Sequence, residues 1–204
     1  MANSNPEETS GRLFLYLRQL RYLQRKGTDV ISSQGLAEAC HVKSPTVRKD
    51  LSYFGEFGVR GVGYEVDGLT SEIRSILNLD QTVKVALVGV GNLGKALLGF
   101  PGLEDEGFKI VAAFDADKRK IGQKIHGVTV EDANGMEERI KAEDIRAAIM
   151  AVPTSEAPAV AQRLAEASVK AILSFAPCQL DMPEGVRVSC VDLASEMARL
   201  VCCV

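Results

Sequence analysis

Val83-Lys84-Val85-Ala86-Leu87-Val88-Gly89-Val90-Gly91-Asn92-Leu93-Gly94 is an apolar, β-rich run that feeds straight into three glycines spaced G-x-G-x-x-G. The spacing fits a strand, a tight turn and a helix in succession. Gly89 permits the turn, Gly91 lets backbone amides approach an anion, and Gly94 lets helix and strand pack closely. The helix expected next contains Ala96, Leu97 and Leu98, and its N-terminus offers aligned N–H groups and a partial positive charge. The following strand, Lys109-Ile110-Val111-Ala112-Ala113-Phe114, ends at Asp115, twenty-one residues after Gly94. A carboxylate there accepts hydrogen bonds from a ribose 2′-hydroxyl and repels a 2′-phosphate, which points to NAD rather than NADP. Lys118 and Arg119 stand close enough to Asp115 in sequence to keep NADP open. A glycine-rich turn without ligand is the bland alternative, and the strand before, the helix after and the carboxylate beyond weigh against it.

Outward from this loop the pattern is α/β. Apolar runs over 145–152, 169–175 and 186–191, with an Ala/Leu-rich helical stretch over 156–167, give the βαβ rhythm of a doubly wound parallel sheet. Residues 192–204 read as one helix with an apolar stripe of Leu193, Met197, Leu200 and Val201. A dehydrogenase normally adds a substrate domain carrying an acid–base group. Only thirteen residues follow the last expected strand, and His126, Lys95 and Cys178 have no evident orienting partner. Cofactor binding without turnover is the better reading, so no catalytic residue is assigned.

The 204 residues are 46% hydrophobic and 25% charged, the balance of an ordinary soluble domain rather than a disordered or fibrous chain. Nothing approaches the ~20 apolar residues of a membrane span, and the first residues have neither the basic start nor the apolar core of a signal peptide. The five cysteines (Cys40, Cys178, Cys190, Cys202 and Cys203) form no CxxC pair, so neither a disulfide scaffold nor a metal site is expected. A thiol role for adjacent Cys202 and Cys203 would need a depressed pKa. The expectation is a cytoplasmic, metal-free protein without membrane contact.

A net charge of −3 hides an uneven distribution. Residues 12–60 hold nine Lys/Arg against four Asp/Glu, a basic block suited to a polyanion or, more blandly, a solvated face. Leu13, Leu17, Leu20 and Leu23 have helical spacing that stops at Lys26-Gly27. Ser32 or Ser33 can cap a short helix with Leu36 and Ala37. After His41-Val42-Lys43-Ser44, the Ser44-Pro45 step reads as cap plus first helical residue. Gly55, Gly58, Gly61 and Gly63 suggest a hairpin, and Thr70 or Ser71 a cap for a helix with Ile73 and Ile76. This is helix-turn-helix spacing with a wing. Thr46, Arg48, Lys49 and Ser52 would read the major groove, with Phe54, Phe57 and Arg60 in the wing. A protein-interaction domain with a basic face stays open.

Val47-Arg48-Lys49-Asp50-Leu51-Ser52-Tyr53-Phe54-Gly55-Glu56-Phe57-Gly58, then Arg60-Gly61-Val62-Gly63-Tyr64, closely resembles the Rex family of redox-sensing transcriptional repressors. The glycine loop, Phe114-Asp115, Val152-Pro153, Phe175-Ala176-Pro177 and Val191-Asp192-Leu193 match the same family in the same order. The resemblance covers roughly residues 12–201.

It implies a winged helix-turn-helix domain over 1–80, a Rossmann-type domain over 81–191 and a C-terminal helix over 192–204, exchanged between the subunits of a homodimer. It implies a repressor that binds palindromic operator DNA when NADH is scarce relative to NAD+ and releases it when NADH binds. By resemblance the operator contacts are Ser44, Thr46, Arg48, Lys49, Ser52, Phe54, Gly55 and Arg60. Those around the cofactor are Gly89, Val90, Gly91, Asn92, Leu93, Gly94, Asp115, Val152, Pro153 and Ala176. The family's switch aspartate alternates between an arginine and a tyrosine, and the matching residues here are Asp192, Arg18 and Phe100. Phenylalanine thus replaces the tyrosine, and Ser174 stands where the family usually has asparagine. A minimal NAD-dependent oxidoreductase and a CoA-binding module are the competing functions. Asp115 argues against the second.

Overall fold

A computed structural model describes residues 6–59 and 61–202, which fall into two compact units that divide between Gln81 and Thr82.

In the first unit, α1 (Pro6–Arg25) buries Leu13, Tyr16, Leu17 and Leu20, the face their spacing dictates, and the chain turns at Gly27, φ +70°. β1 (Val30–Ile31) precedes α2 (Ser33–Ala39), whose cap Ser32 accepts the Gly35 N–H at 3.0 Å. A short turn leads to α3 (Ser44–Phe54), then β2 (Gly58–Val59), β3 (Gly63–Glu65) and α4 (Val66–Ile76). β2 and β3 form the expected wing hairpin, and β1 adds on the other side of β3 to make an antiparallel sheet of three.

Two caps differ from expectation. Lys43, not Ser44, is the N-cap of α3, and Ser44 is already helical; its hydroxyl is engaged by Arg48 and Ser33 instead. α4 starts at Val66 because the Glu65 carboxylate accepts the N–H groups of Asp67 and Gly68. Thr70 therefore sits inside the helix, donating to the Val66 carbonyl at 2.7 Å, a bond that offers mid-helix threonine a partner other than a cap.

The second unit runs β4 (Val83–Val88), α5 (Asn92–Leu98), α6 (Pro101–Asp105), β5 (Phe108–Asp115), β6 (Lys124–Ile125), β7 (Val128–Asp132), a 3₁₀ turn, α7 (Met136–Ala142), β8 (Ala147–Met150), α8 (Ala157–Glu166), β9 (Ala171–Ser174), β10 (Arg187–Cys190) and α9 (Leu193–Val201). The sheet order is β10-β9-β8-β4-β5-β7-β6, parallel throughout except for β6. Alternation along β4 sends Ala86 and Val88 into one core, with Phe114, Met136 and Leu164, and Val85 and Leu87 into the other, with Val90 and Ala113. Chain order reverses between β4 and β8, where the crevice of an open parallel sheet lies.

The β6–β7 hairpin has no counterpart in the sequence reading; its turn places His126 and Gly127 at φ +47° and +88°. Asp192 caps α9 by accepting the N–H groups of Ala194 and Ser195. Leu193, Met197, Leu200 and Val201 on that helix are 59–67% exposed. No described helix is long and apolar enough to cross a membrane.

Candidate dinucleotide and nucleic-acid sites

The C-terminal ends of β4, β5, β8 and β9 lie side by side. The Gly89 N–H donates to the Phe114 carbonyl, the Ala151 N–H to Val88 and the Phe175 N–H to Met150, at 2.8–2.9 Å. The glycine loop, Asp115, Val152, Pro153 and Ala176 therefore converge on one edge of the sheet. Gly89 has φ +94°, and a Cβ there would strike the Ala151 carbonyl. A Cβ on Gly94 would drive into the Gly89 carbonyl, so α5 approaches β4 as closely as glycine allows. Gly91 differs: nothing lies within 4 Å of a Cβ placed on it. Internal packing explains two of the glycines; the third leaves open space at the mouth of the loop, the feature a dinucleotide pyrophosphate requires.

Asp115 is 9% exposed. Its Oδ2 accepts the Val90 N–H and the Lys120 ammonium, each at 2.8 Å, and Oδ1 accepts the Asp117 N–H at 2.8 Å. Burial works to raise its pKa, but the Lys120 hydrogen bond and the two backbone donors outweigh it and hold the carboxyl below its ordinary value. Asp115 thus fastens the glycine loop to β5 as an ionised carboxylate. The cation beside it is Lys120 rather than Lys118 or Arg119, since Arg119 turns to Asp117 and lowers that carboxyl to about 2. Ser174 is fully buried and both accepts the Ala176 N–H and donates to the Ala176 carbonyl, which folds the turn after β9. Phe100 caps α6 and is 57% exposed. Arg18 is exposed on α1, in the other unit.

On α3, Val47, Asp50 and Leu51 are buried, while Arg48, Lys49, Ser52 and Phe54 are exposed; Phe54, expected in the wing, is instead the last residue of the helix. Arg48 Nη1 donates to Ser33 Oγ at 3.0 Å and Ser44 Oγ at 2.5 Å, which fixes the guanidinium against the N-terminal ends of α2 and α3. Gly55 ends α3 against the Phe57 ring. A groove of about 530 Å³ between α3 and the wing is lined by Arg48, Ser52, Gly55, Phe57 and Tyr64 among others. Thr46 is partly buried, and Arg60 lies outside the described residues.

Sequence reasoning missed what holds α3 in place. Asp50, 2% exposed, accepts Arg12 Nε at 2.6 Å, Arg12 Nη2 at 2.8 Å and the Tyr16 hydroxyl at 2.8 Å. Burial first, then the bond to Asp50, raises the Tyr16 phenol well above its ordinary value, so it stays a donor. An acidic residue in mid-helix carries no hint of a partner thirty-eight positions earlier.

Residues 6–52 match the family model "Putative DNA-binding protein N-terminus" and residues 80–178 match "CoA binding domain". The redox-sensing transcriptional repressor Rex of Chloroflexus aurantiacus is 47% identical over 92% of this chain and 88% of its own length. That of Bacillus licheniformis is 42% identical over 96% and 91%. The chain belongs to the Rex family. Among solved structures, the Rex-family repressor RSP in complex with NAD+ and operator DNA superposes with a TM-score of 0.91, at 34% identity over 98% of this chain and 92% of that one. RSP with NADH gives 0.85, at 31% identity over 98% and 94%.

Membership in Rex fixes the fold as a winged helix-turn-helix domain joined to a Rossmann sheet, with the sheet order expected for the latter. Among the described residues no group of three or more His, Cys, Asp or Glu is placed to hold a metal ion.

Proposed function

We propose that this chain is an NADH-responsive transcriptional repressor that grips a palindromic DNA operator as a homodimer and releases it when NADH binds. The observation that carries the reading is the likeness, over 98% of the chain, to RSP captured once with NAD+ on operator DNA and once with NADH. Arg48, Lys49, Ser52, Phe54 and Gly55, with Ser44, Thr46 and Arg60, form the operator face. The glycine loop takes the pyrophosphate, and Asp115 accepts from the adenosine ribose. Val152, Pro153 and Ala176 flank the nicotinamide half. Two copies pair through α9, whose apolar face is the part a partner covers. No turnover is part of this function, in keeping with relatives that are named repressors.

NADH and NAD+ share every group except the nicotinamide, neutral when reduced and cationic when oxidised. An apolar pocket penalises only the cation, and a ligand shifts an equilibrium only through differential affinity for its two states. Discrimination therefore belongs to the nicotinamide end, and by resemblance Asp192, Arg18 and Phe100 are the switch that responds to it.

The test is a gel shift on a palindromic operator with NADH or NAD+ added separately: release by NADH and retention with NAD+ is expected. Equal retention with saturating NADH would overturn the reading. In the same assay Phe100→Tyr, which restores the hydroxyl partner for Asp192, is expected to lower the NADH midpoint by about threefold to tenfold, the effect of one hydrogen bond; an unchanged midpoint removes Phe100 from the switch. The match to a CoA-binding model favours a second reading in which the loop holds CoA. A fluorescence titration of NADH against competing CoA decides between them, and the chain has no tryptophan to obscure the reduced nicotinamide.

A further inference from the structure

The Asp115 carboxylate is the group that rejects a 2′-phosphate in a site of this kind, and it does so by charge. Here it is not alone. Lys120 Nζ sits 2.8 Å from Asp115 Oδ2, with the lysine side chain 26% exposed and the carboxylate 9%. Of its basic neighbours in sequence, Arg119 is engaged by Asp117 and is 89% exposed. One ion pair therefore terminates β5, and it presents an acceptor and a donor together at the edge of the cradle.

We infer that Lys120 is a cofactor-binding and specificity-determining residue: its ammonium donates to the adenosine ribose beside Asp115 and offsets the carboxylate's repulsion of a 2′-phosphate. This rests on the assignment of the glycine loop to a dinucleotide. An ammonium has three donors, of which Asp115 takes one, leaving others for the ribose edge. Among the described residues Oδ1 accepts the Asp117 N–H alone, so a lone pair stays available to a hydroxyl. With the pair intact, a phosphate at the 2′ position meets a carboxylate already neutralised at hydrogen-bond distance. With the lysine gone it meets an uncompensated charge in a partly desolvated corner, where Coulomb interactions are stronger than in water. NADH, which brings only hydroxyls, loses one donor. NADPH loses the donor and gains the repulsion.

The experiment measures dissociation constants of NADH and NADPH by reduced-nicotinamide fluorescence, without DNA, on the intact protein and on Lys120→Met and Lys120→Arg. The intact protein is expected to bind NADPH measurably, within about 100-fold of NADH. Lys120→Met should weaken NADH by about fivefold and NADPH by about fiftyfold, widening the preference about tenfold. Lys120→Arg, which keeps the charge, should leave the preference within about twofold of the parent. Parallel weakening of both cofactors by Lys120→Met would mean that Lys120 merely orders the loop, and would overturn the inference. So would NADPH binding too weak to detect in the parent, or a Lys120→Arg preference as wide as that of Lys120→Met. Operator release is not read in this assay, so a failure here leaves the repressor reading standing, and a protein that binds NADH without releasing DNA defeats only the latter.

Discussion

Gly94→Ala should abolish usable NADH binding, by more than about 100-fold, and lower the melting temperature of the second unit by about 10 °C. The added Cβ has nowhere to go. It points at the Gly89 carbonyl, which is backbone and itself pinned, because the Gly89 N–H bonds to the Phe114 carbonyl in the neighbouring strand. Relief requires α5 to lift off β4, next to Leu87 in the core. Overpacking of a tight core contact costs about 1–3 kcal/mol, and a backbone obstacle places this case at the upper end. The useful contrast is Gly91→Ala, in which the new methyl meets nothing within 4 Å at an ordinary negative φ of −77°. It should leave the melting temperature within about 2 °C, since surface substitutions away from special features cost little, yet still weaken NADH by obstructing the approach to the loop. Thermal melts and fluorescence titrations on the two variants separate packing from binding; equal melting temperatures would refute this account of Gly94.

Asp50→Ala should destroy operator binding while leaving NADH binding intact. Removing the carboxylate takes three hydrogen bonds from this cluster and leaves the buried Tyr16 hydroxyl without its acceptor, while Arg12, a quarter exposed, keeps its bond to Thr9 Oγ1. Losing this buried acceptor costs about 3 kcal/mol, the upper end for a desolvated partner left unsatisfied, because the Tyr16 hydroxyl stays buried and the attraction to Arg12 is gone. That loss falls on the first unit, where α3 is carried by α1 through this cluster. Tyr16→Phe removes only one of three donors and should cost about 1–2 kcal/mol, with operator affinity reduced but measurable. The readouts are a gel shift for the first unit and NADH fluorescence for the second. Wild-type operator affinity in Asp50→Ala would show that the outward face of α3 needs no such anchor.

The contrast between these two sites explains what the sequence could disclose. The glycine loop was legible because its constraint is local: turn, approach and close packing are all demanded within six residues, and only glycine satisfies them. The outward face of α3 was legible for a similar reason, since Arg48, Lys49 and Ser52 occupy the surface left over once Val47 and Leu51 go inward. Asp50 was hidden because its meaning resides in Arg12 and Tyr16, and no spacing rule joins residues on different helices. Lys120 was hidden more narrowly. Three consecutive basic residues, 118–120, follow Asp115, and only the turn geometry decides which one folds back onto it. The caps fared likewise: Ser44 has the chemistry of an N-cap, but Arg48 and Ser33 engage its hydroxyl, and Glu65 serves α4 five residues before the threonine that composition favours.

The apolar stripe on α9 reaches beyond its own nine residues. Leu193, Met197, Leu200 and Val201 stay mostly wet in a lone chain, and whatever covers them binds the native form and not the unfolded one. When the cover is a second copy, folding and association become a single equilibrium, and mass action ties robustness to abundance. The melting midpoint then climbs with protein concentration, and a cell that makes few copies holds a more fragile regulator than one that makes many.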